Sequence, residues 1–217
     1  MSFFRAIRNK PWDHKGEVAS AIAGDMMSVA MSPQQLALNF FLGVASVLFA
    51  LFGIAYFMRM EVDTSSPLFC GAGYWETLKE PDLLWLNTSV LILASGVIEW
   101  TKREAIAGRL LATKIGLIAG ACLTLAFLYG QSAAWASLTN GGYFVDSTPA
   151  SSFFYLLTGL HALHVIGGLW VWLSATLSAF LDREDPRKIG ETVRLCAIYW
   201  HYLLVLWLGL FVLFLNT

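Results

Sequence analysis

The chain has 217 residues, 57% of them hydrophobic, 14% aromatic and only 13% charged, with a formal net charge of −1 and a mean hydropathy of +0.62. Soluble domains carry about 25% charged residues, so this composition points to an all-α polytopic membrane protein and away from a large soluble core. The near-neutral balance argues against nucleic acid as a partner, because phosphate binding needs a basic patch.

Residues 1–35 are polar, with Arg5, Arg8, Lys10 and Lys15 early on and the weakly amphipathic VASAIAGDMMSVAM after them. They hold no continuous apolar core of the kind a cleaved signal peptide carries. They read as a cytoplasmic tail whose second half either lies along the membrane surface or serves as a linker. Residues 36–217 then form one transmembrane domain. Its five apolar runs, at about 36–58, 83–101, 111–131, 153–180 and 195–216, each come near the roughly 20 residues that cross a bilayer core. The segment 59–82 carries Pro67, Gly71, Gly73, Pro81 and five acids; 102–110 is short and basic; 132–152 holds Asn-Gly-Gly and Pro149; 181–194 reads LDREDPRKIGETVR. Four Lys/Arg fall in the tail, four between Lys102 and Lys114, and four in the last loop, against two (Arg59, Lys79) on the alternate side. By the positive-inside rule the N-terminus is cytoplasmic and the C-terminus outside. Gly116 and Gly120 make a GxxxG in the third run, a spacing that permits close helix contact.

Cys70, Cys122 and Cys196 are widely spaced, without CxxC or CxxCH, so they encode neither zinc site, haem attachment nor disulfide framework. No Walker loop, GxGxxG, HExxH or Ser-His-Asp set is present. The ionisable groups inside the apolar runs carry the interest, since such groups normally face protein or water. His161 and His164, in TGLHALHVIGG, are three apart and share a helix face. His201 lies in YWHYLLVLW. Imidazole suits iron or copper, but His161 and His164 fall about 12–17 Å down the fourth run and His201 about 9 Å from the opposite end of the fifth. Two histidines at i,i+3 also fit opposite haem faces poorly. Interhelical hydrogen-bonded contacts are the expected role. Glu99 is the one acid well inside a run. It either pairs with His201 as a proton-relay carboxylate or reaches the interface beside Lys102 and Arg103. Gln131 closes the third run, where its amide can bond a neighbouring backbone. Trp85, Trp100, Trp135 and Trp200 fall near run ends, as an aromatic belt does.

TGLHALHVIGG resembles the TG-H--HV--G signature of subunit III of the haem–copper oxidases. YWHYLLVLW resembles the block on that family's last helix, WLNTSVLILAS its WLNT-LLL-SS segment, and Lys114–Gln131 the helix that ends in glutamine. The blocks keep the family's order over roughly residues 36–216, and the chain resembles the five-helix form. The resemblance implies a multi-pass subunit of a prokaryotic cytoplasmic membrane that is non-catalytic and binds no metal. It implies packing on subunit I, which holds haem and copper, an assembly with subunit II (carrying copper where cytochrome c is the donor), and membership of a larger respiratory supercomplex. It also implies structural phospholipid held between helix groups. The matching positions are Thr158, Gly159, His161, His164, Trp200 and His201, with Arg194 placed to meet a lipid phosphate.

The departures fall on acids. The first apolar run, NFFLGVASVLFALFGIAYF, lacks the glutamate that faces the second histidine in that family, Ala134 stands where another glutamate is expected, and Leu204 replaces an aspartate. The packing histidines are thus expected to persist without their acidic network. Three other readings are an accessory subunit of a nitric oxide reductase, a free-standing b-type cytochrome with the histidines as ligands, and a small transporter, for which internal repeats and broken helices are the missing marks.

Overall fold

A computed structural model describes residues 32–65, 83–181 and 186–215. Five helices carry them: α1 (Pro33–Ser65), α2 (Leu83–Ile106), α3 (Leu110–Asn140), α4 (Pro149–Phe180) and α5 (Pro186–Leu215). Each is long and apolar enough to cross a membrane, and no strand occurs among the described residues. The chain is an all-α polytopic membrane protein. Hydrocarbon offers no water to the backbone, so a spanning segment must satisfy its own N–H and C=O groups, as a helix does. The chain divides into two units inside α1, Met1–Phe40 and Phe41–Thr217. Of the first, the described part is residue 32 and the opening turns of α1. The expected boundary at residue 35 falls inside α1, and residues 1–31 of the tail lie outside the described residues.

The helices outrun the apolar runs. α2 continues past residue 101 through Lys102, Arg103 and Glu104; α3 runs nine residues beyond Gln131; α5 begins nine residues before 195. Intrahelical bonding does not require apolar side chains, so a helix persists beyond the hydrocarbon until backbone chemistry ends it. Glycine ends α2 and α3. After α2, Gly108 takes φ 73°, its N–H bonds the Ala105 carbonyl at 3.1 Å, and the Arg109 N–H reaches Glu104 at 3.0 Å. After α3, Gly142 takes φ 90° and the same bonds recur, Gly142 to Thr139 and Tyr143 to Leu138. Both are Schellman closures, which place glycine in the left-handed region. Thr148 caps α4 by accepting from the Ser151 N–H at 3.1 Å, with Pro149 in the first position, where its missing N–H costs nothing.

The closest backbone approaches are α2 with α3, α3 with α4, α4 with α5, and α5 with α2, so these four helices close into a ring. Trp172, Trp207, Phe127, Leu117, Leu203 and Val165 fill its interior. The GxxxG of α3 is a packing face. A Cβ at Gly116 would collide with the Thr101 side chain of α2, and one at Gly120 would lie 3.1 Å from the Trp172 ring. The Trp172 indole N–H then donates to the Leu117 carbonyl at 2.9 Å, locking α4 to α3. From Phe41 onward, α1 meets the ring through side chains. Tyr56 sets its ring edge-on to Phe153 and Phe214, and Ser46 shares a 3.0 Å hydrogen bond with the Tyr202 hydroxyl.

Candidate functional site

The histidines of α4 lie on neighbouring faces but in different clefts. His161 is fully buried inside the ring. The Phe127 ring stands edge-on at 5.9 Å and the Trp207 ring is tilted at 5.0 Å. Neither imidazole nitrogen has a hydrogen-bond partner among the described residues. His164, three residues on, bonds the Leu160 carbonyl through Nδ1 at 2.7 Å and turns toward α1, where Phe41 and Phe49 lie 5.8 and 5.5 Å away. The expectation that the two share one face is corrected. A three-residue step leaves about 60° between side chains, and two clefts of a crowded bundle fit within that angle.

Around His161 lies a polar layer drawn from all four ring helices. Thr158 donates to its own Phe154 carbonyl at 2.6 Å and accepts from the Trp135 indole at 3.1 Å. The Asn87 side-chain amide of α2 meets the Gln131 side-chain amide of α3 at 3.1 Å. The Trp207 indole donates to Thr88 at 3.0 Å. All but the Thr158–Phe154 bond, which stays within α4, join two helices. Gln131 therefore does not close α3: it sits well inside it, fully buried, and bonds a side chain instead of backbone. Trp200 likewise leaves the expected belt, since α5 begins at Pro186 and places it mid-helix. It is buried, edge-on to Trp172 at 6.4 Å. Trp135 is also interior to α3, whereas Trp85 and Trp100 remain exposed.

His201 faces the opposite side, toward α2. Its Nδ1 lies 2.6 Å from the Ser95 hydroxyl and its Nε2 lies 3.2 Å from Glu99 Oε2. Glu99 also holds Lys102, and its Oε1 meets Arg103 Nε at 3.2 Å. Both contacts expected of Glu99 are present: Oε1 meets Arg103 at the helix end, and Oε2 meets both Lys102 there and His201 across on α5. The neighbouring Tyr199 hydroxyl donates to the His164 carbonyl at 2.8 Å, while the His164 ring faces α1 and the His201 ring faces α2. Gly168 admits that Tyr199 ring, which a Cβ there would strike.

Arg194 pairs with Glu191 at 3.2 Å. Among the described residues no group of three or more His, Cys, Asp or Glu is placed to hold a metal ion. Cys122 is exposed and Cys196 buried, both free; Cys70 lies outside the described residues. What the arrangement shows is helices joined by buried, directional bonds.

A family model described as cytochrome c oxidase subunit III matches residues 7–216. Cytochrome c oxidase subunit 3 of Yarrowia lipolytica is 27% identical over 184 residues, covering 82% of this chain and 66% of the relative. A probable cytochrome c oxidase subunit 3 of Nocardia farcinica is 32% identical over 85 residues, 39% and 41% of the two chains. Cytochrome c oxidase subunit 3 of Arabidopsis thaliana is 26% identical over 168 residues, 75% and 62%. The matched stretches thus span less than two thirds of these relatives' own length.

Proposed function

The chain belongs to the cytochrome c oxidase subunit III family, and from that premise we propose that it is the non-catalytic subunit III of a proton-pumping haem–copper terminal oxidase. In this reading it packs on a subunit I that holds haem and copper, beside a subunit II. It lies in a prokaryotic cytoplasmic membrane with its N-terminus inside, and it holds phospholipid while supporting sustained turnover. Electrons and oxygen are handled by the partner subunits. The observation that carries the reading is the employment of the motif residues: Thr158, Gln131, Trp200 and His201 are spent on contacts between helices, and His161 on packing among aromatic rings. A scaffold needs residues used in this way, and a redox site needs ligands that converge.

The test is a gentle-detergent pull-down of the tagged full chain from native membranes. The eluate is divided between mass spectrometry and a reduced-minus-oxidised spectrum, and the spectrum is repeated on the dissociated chain. Haem-bearing subunits I and II are expected to co-elute, and the separated chain to be colourless. Co-elution with nitric oxide reductase subunits would redirect the assignment to that enzyme. A haem band retained by the isolated chain would overturn the scaffold reading.

A further inference from the structure

The turn between α3 and α4 presents two apolar side chains outward and spends its polar backbone inward. Four consecutive carbonyls are engaged from within the protein. Ser147 Oγ donates to the Gly142 carbonyl at 3.3 Å and the Tyr155 hydroxyl to that of Tyr143 at 3.0 Å. The Ser147 N–H donates to the Phe144 carbonyl at 3.2 Å and the Ser152 hydroxyl to that of Val145 at 2.6 Å. The Phe144 N–H in turn donates to Ser147 Oγ at 2.8 Å. Gly142, at φ 90°, supplies the left-handed residue that the bend needs. Folding Phe144 inward would break these bonds. Phe144 and Val145 therefore stay 54% and 56% exposed, next to exposed Asp146.

Helix length sets where this tip lies. Lys114 at the start of α3 sits 5.3 Å over the Phe180 ring that ends α4, so both helices meet the basic edge of the hydrocarbon at one level. From Phe180 back to Pro149, α4 rises about 47 Å. A core of roughly 30 Å with about 5–7 Å of headgroups ends short of that, even at a tilt of about 20°. The tip stands in water, beyond the lipid. Alternate loops share a side, and there the segment 59–82 adds five acids against two bases, Arg59 and Lys79. A rigid aromatic beside an aliphatic side chain is a preorganised anchor for another protein, and the acids around it complement a basic surface. We propose that the Phe144–Val145 tip docks a soluble protein presenting an apolar pocket rimmed by Lys or Arg. Two side chains bury far less than the roughly 1,200 Å² under which encounters are weak. The contact is therefore transient, and the tip is open between encounters.

The test places the photo-crosslinker p-benzoylphenylalanine at position 144 of the full-length chain, expressed with its co-purifying chains in the native cells. Whole cells are illuminated, and mass spectrometry of the purified complex assigns each adduct to a peptide or a lipid. The expected adduct lies on an apolar residue flanked by Lys or Arg in one soluble protein. Asp146→Lys in the same background is expected to lower its yield about fivefold, because reversing a rim charge slows encounter. Ser147→Ala, which removes the hydroxyl that holds the Phe144 N–H, is expected to lower it as well by loosening the anchor. Asp146→Lys, at an exposed position, decides the matter alone if Ser147→Ala does not fold. Adducts on phospholipid or on integral subunits alone overturn the docking. So does the absence of any adduct, or a soluble-protein adduct whose yield is the same in Asp146→Lys. None of these results touches subunit membership, which co-purification reads separately.

Discussion

At the scale of single residues, two histidines from the same motif set are surrounded so differently that mutation should move stability in opposite directions. His161 has no hydrogen bond among the described residues and is enclosed by Phe127 and Trp207. His201 makes two bonds, to Ser95 and Glu99. A buried polar group left unpaired costs about 1–3 kcal/mol, so His161→Leu, close in volume, should leave stability unchanged or raise it. His201→Leu should lower it by about 1–2 kcal/mol and strand Ser95. The Ser95→Ala/His201→Leu double-mutant cycle should show a coupling of about 0.6 kcal/mol, the usual size of such bonds between membrane helices. Glu99 and His201 have side chains 29% and 39% exposed, so solvent screening keeps Glu99→Gln to roughly 1 kcal/mol or less. Denaturation midpoints in mixed detergent micelles measure all four. If His161→Leu is the most damaging, a packing role for that imidazole is wrong. Sequence depth alone brought Glu99 and His201 together, because ionisable residues are rare in apolar helices. Ser95, Thr88, Asn87 and Trp207 were not legible as partners. A serine, threonine or indole in such a helix is ordinary until the crossing geometry shows what stands opposite.

At the scale of helices, the number of elements was visible in hydropathy and their ends were not. An apolar run reports where hydrocarbon stops. Gly108 and Gly142, with φ of 73° and 90°, report where the helix stops, five residues beyond the expected end of α2 at residue 101 and nine beyond that of α3 at Gln131. That difference moved Gln131 and Trp200 from helix ends into the core. The GxxxG spacing was equally ambiguous, since glycine is abundant in membrane helices. The packing partner resolves it. Gly116→Ala drives a Cβ into Thr101 and should cost about 1–3 kcal/mol, the range for overpacking. Thr101→Ala on top of it should restore part of the loss. Gly96, on the exposed face of α2 with nothing within 4 Å of its would-be Cβ, serves as the control: Gly96→Ala should be neutral or gain up to about 1 kcal/mol from helix propensity. Equal penalties at the two glycines in the same micelle assay would show that contact with Thr101 is not what selects Gly116.

At the scale of the whole molecule, the fold collects charges that the chain scatters. The Ala105 carbonyl at the end of α2 lies against Gly190 near the start of α5, and the Lys114 ammonium at the start of α3 sits 5.3 Å over the Phe180 ring that ends α4. One end of the ring therefore gathers Lys102, Arg103, Arg109, Lys114, Lys188 and Arg194. The α3–α4 turn at the other end, residues 141–148, carries Asp146 and no Lys or Arg. Cationic loops stay on the cytoplasmic side during insertion, so the basic end should face the cytoplasm and the Phe144–Val145 turn the outside. Single cysteines read this directly in a background where Cys70, Cys122 and Cys196 are alanine. Val145→Cys, 56% exposed, should react with a membrane-impermeant maleimide on intact cells. Arg109→Cys, in the α2–α3 turn, should react only after permeabilisation. Arg109 bonds Glu104 across an exposed turn, so its loss should not disturb the ring, and wild-type co-purification of each variant checks that. The reverse labelling pattern would invert the orientation, with the basic end of the ring outside.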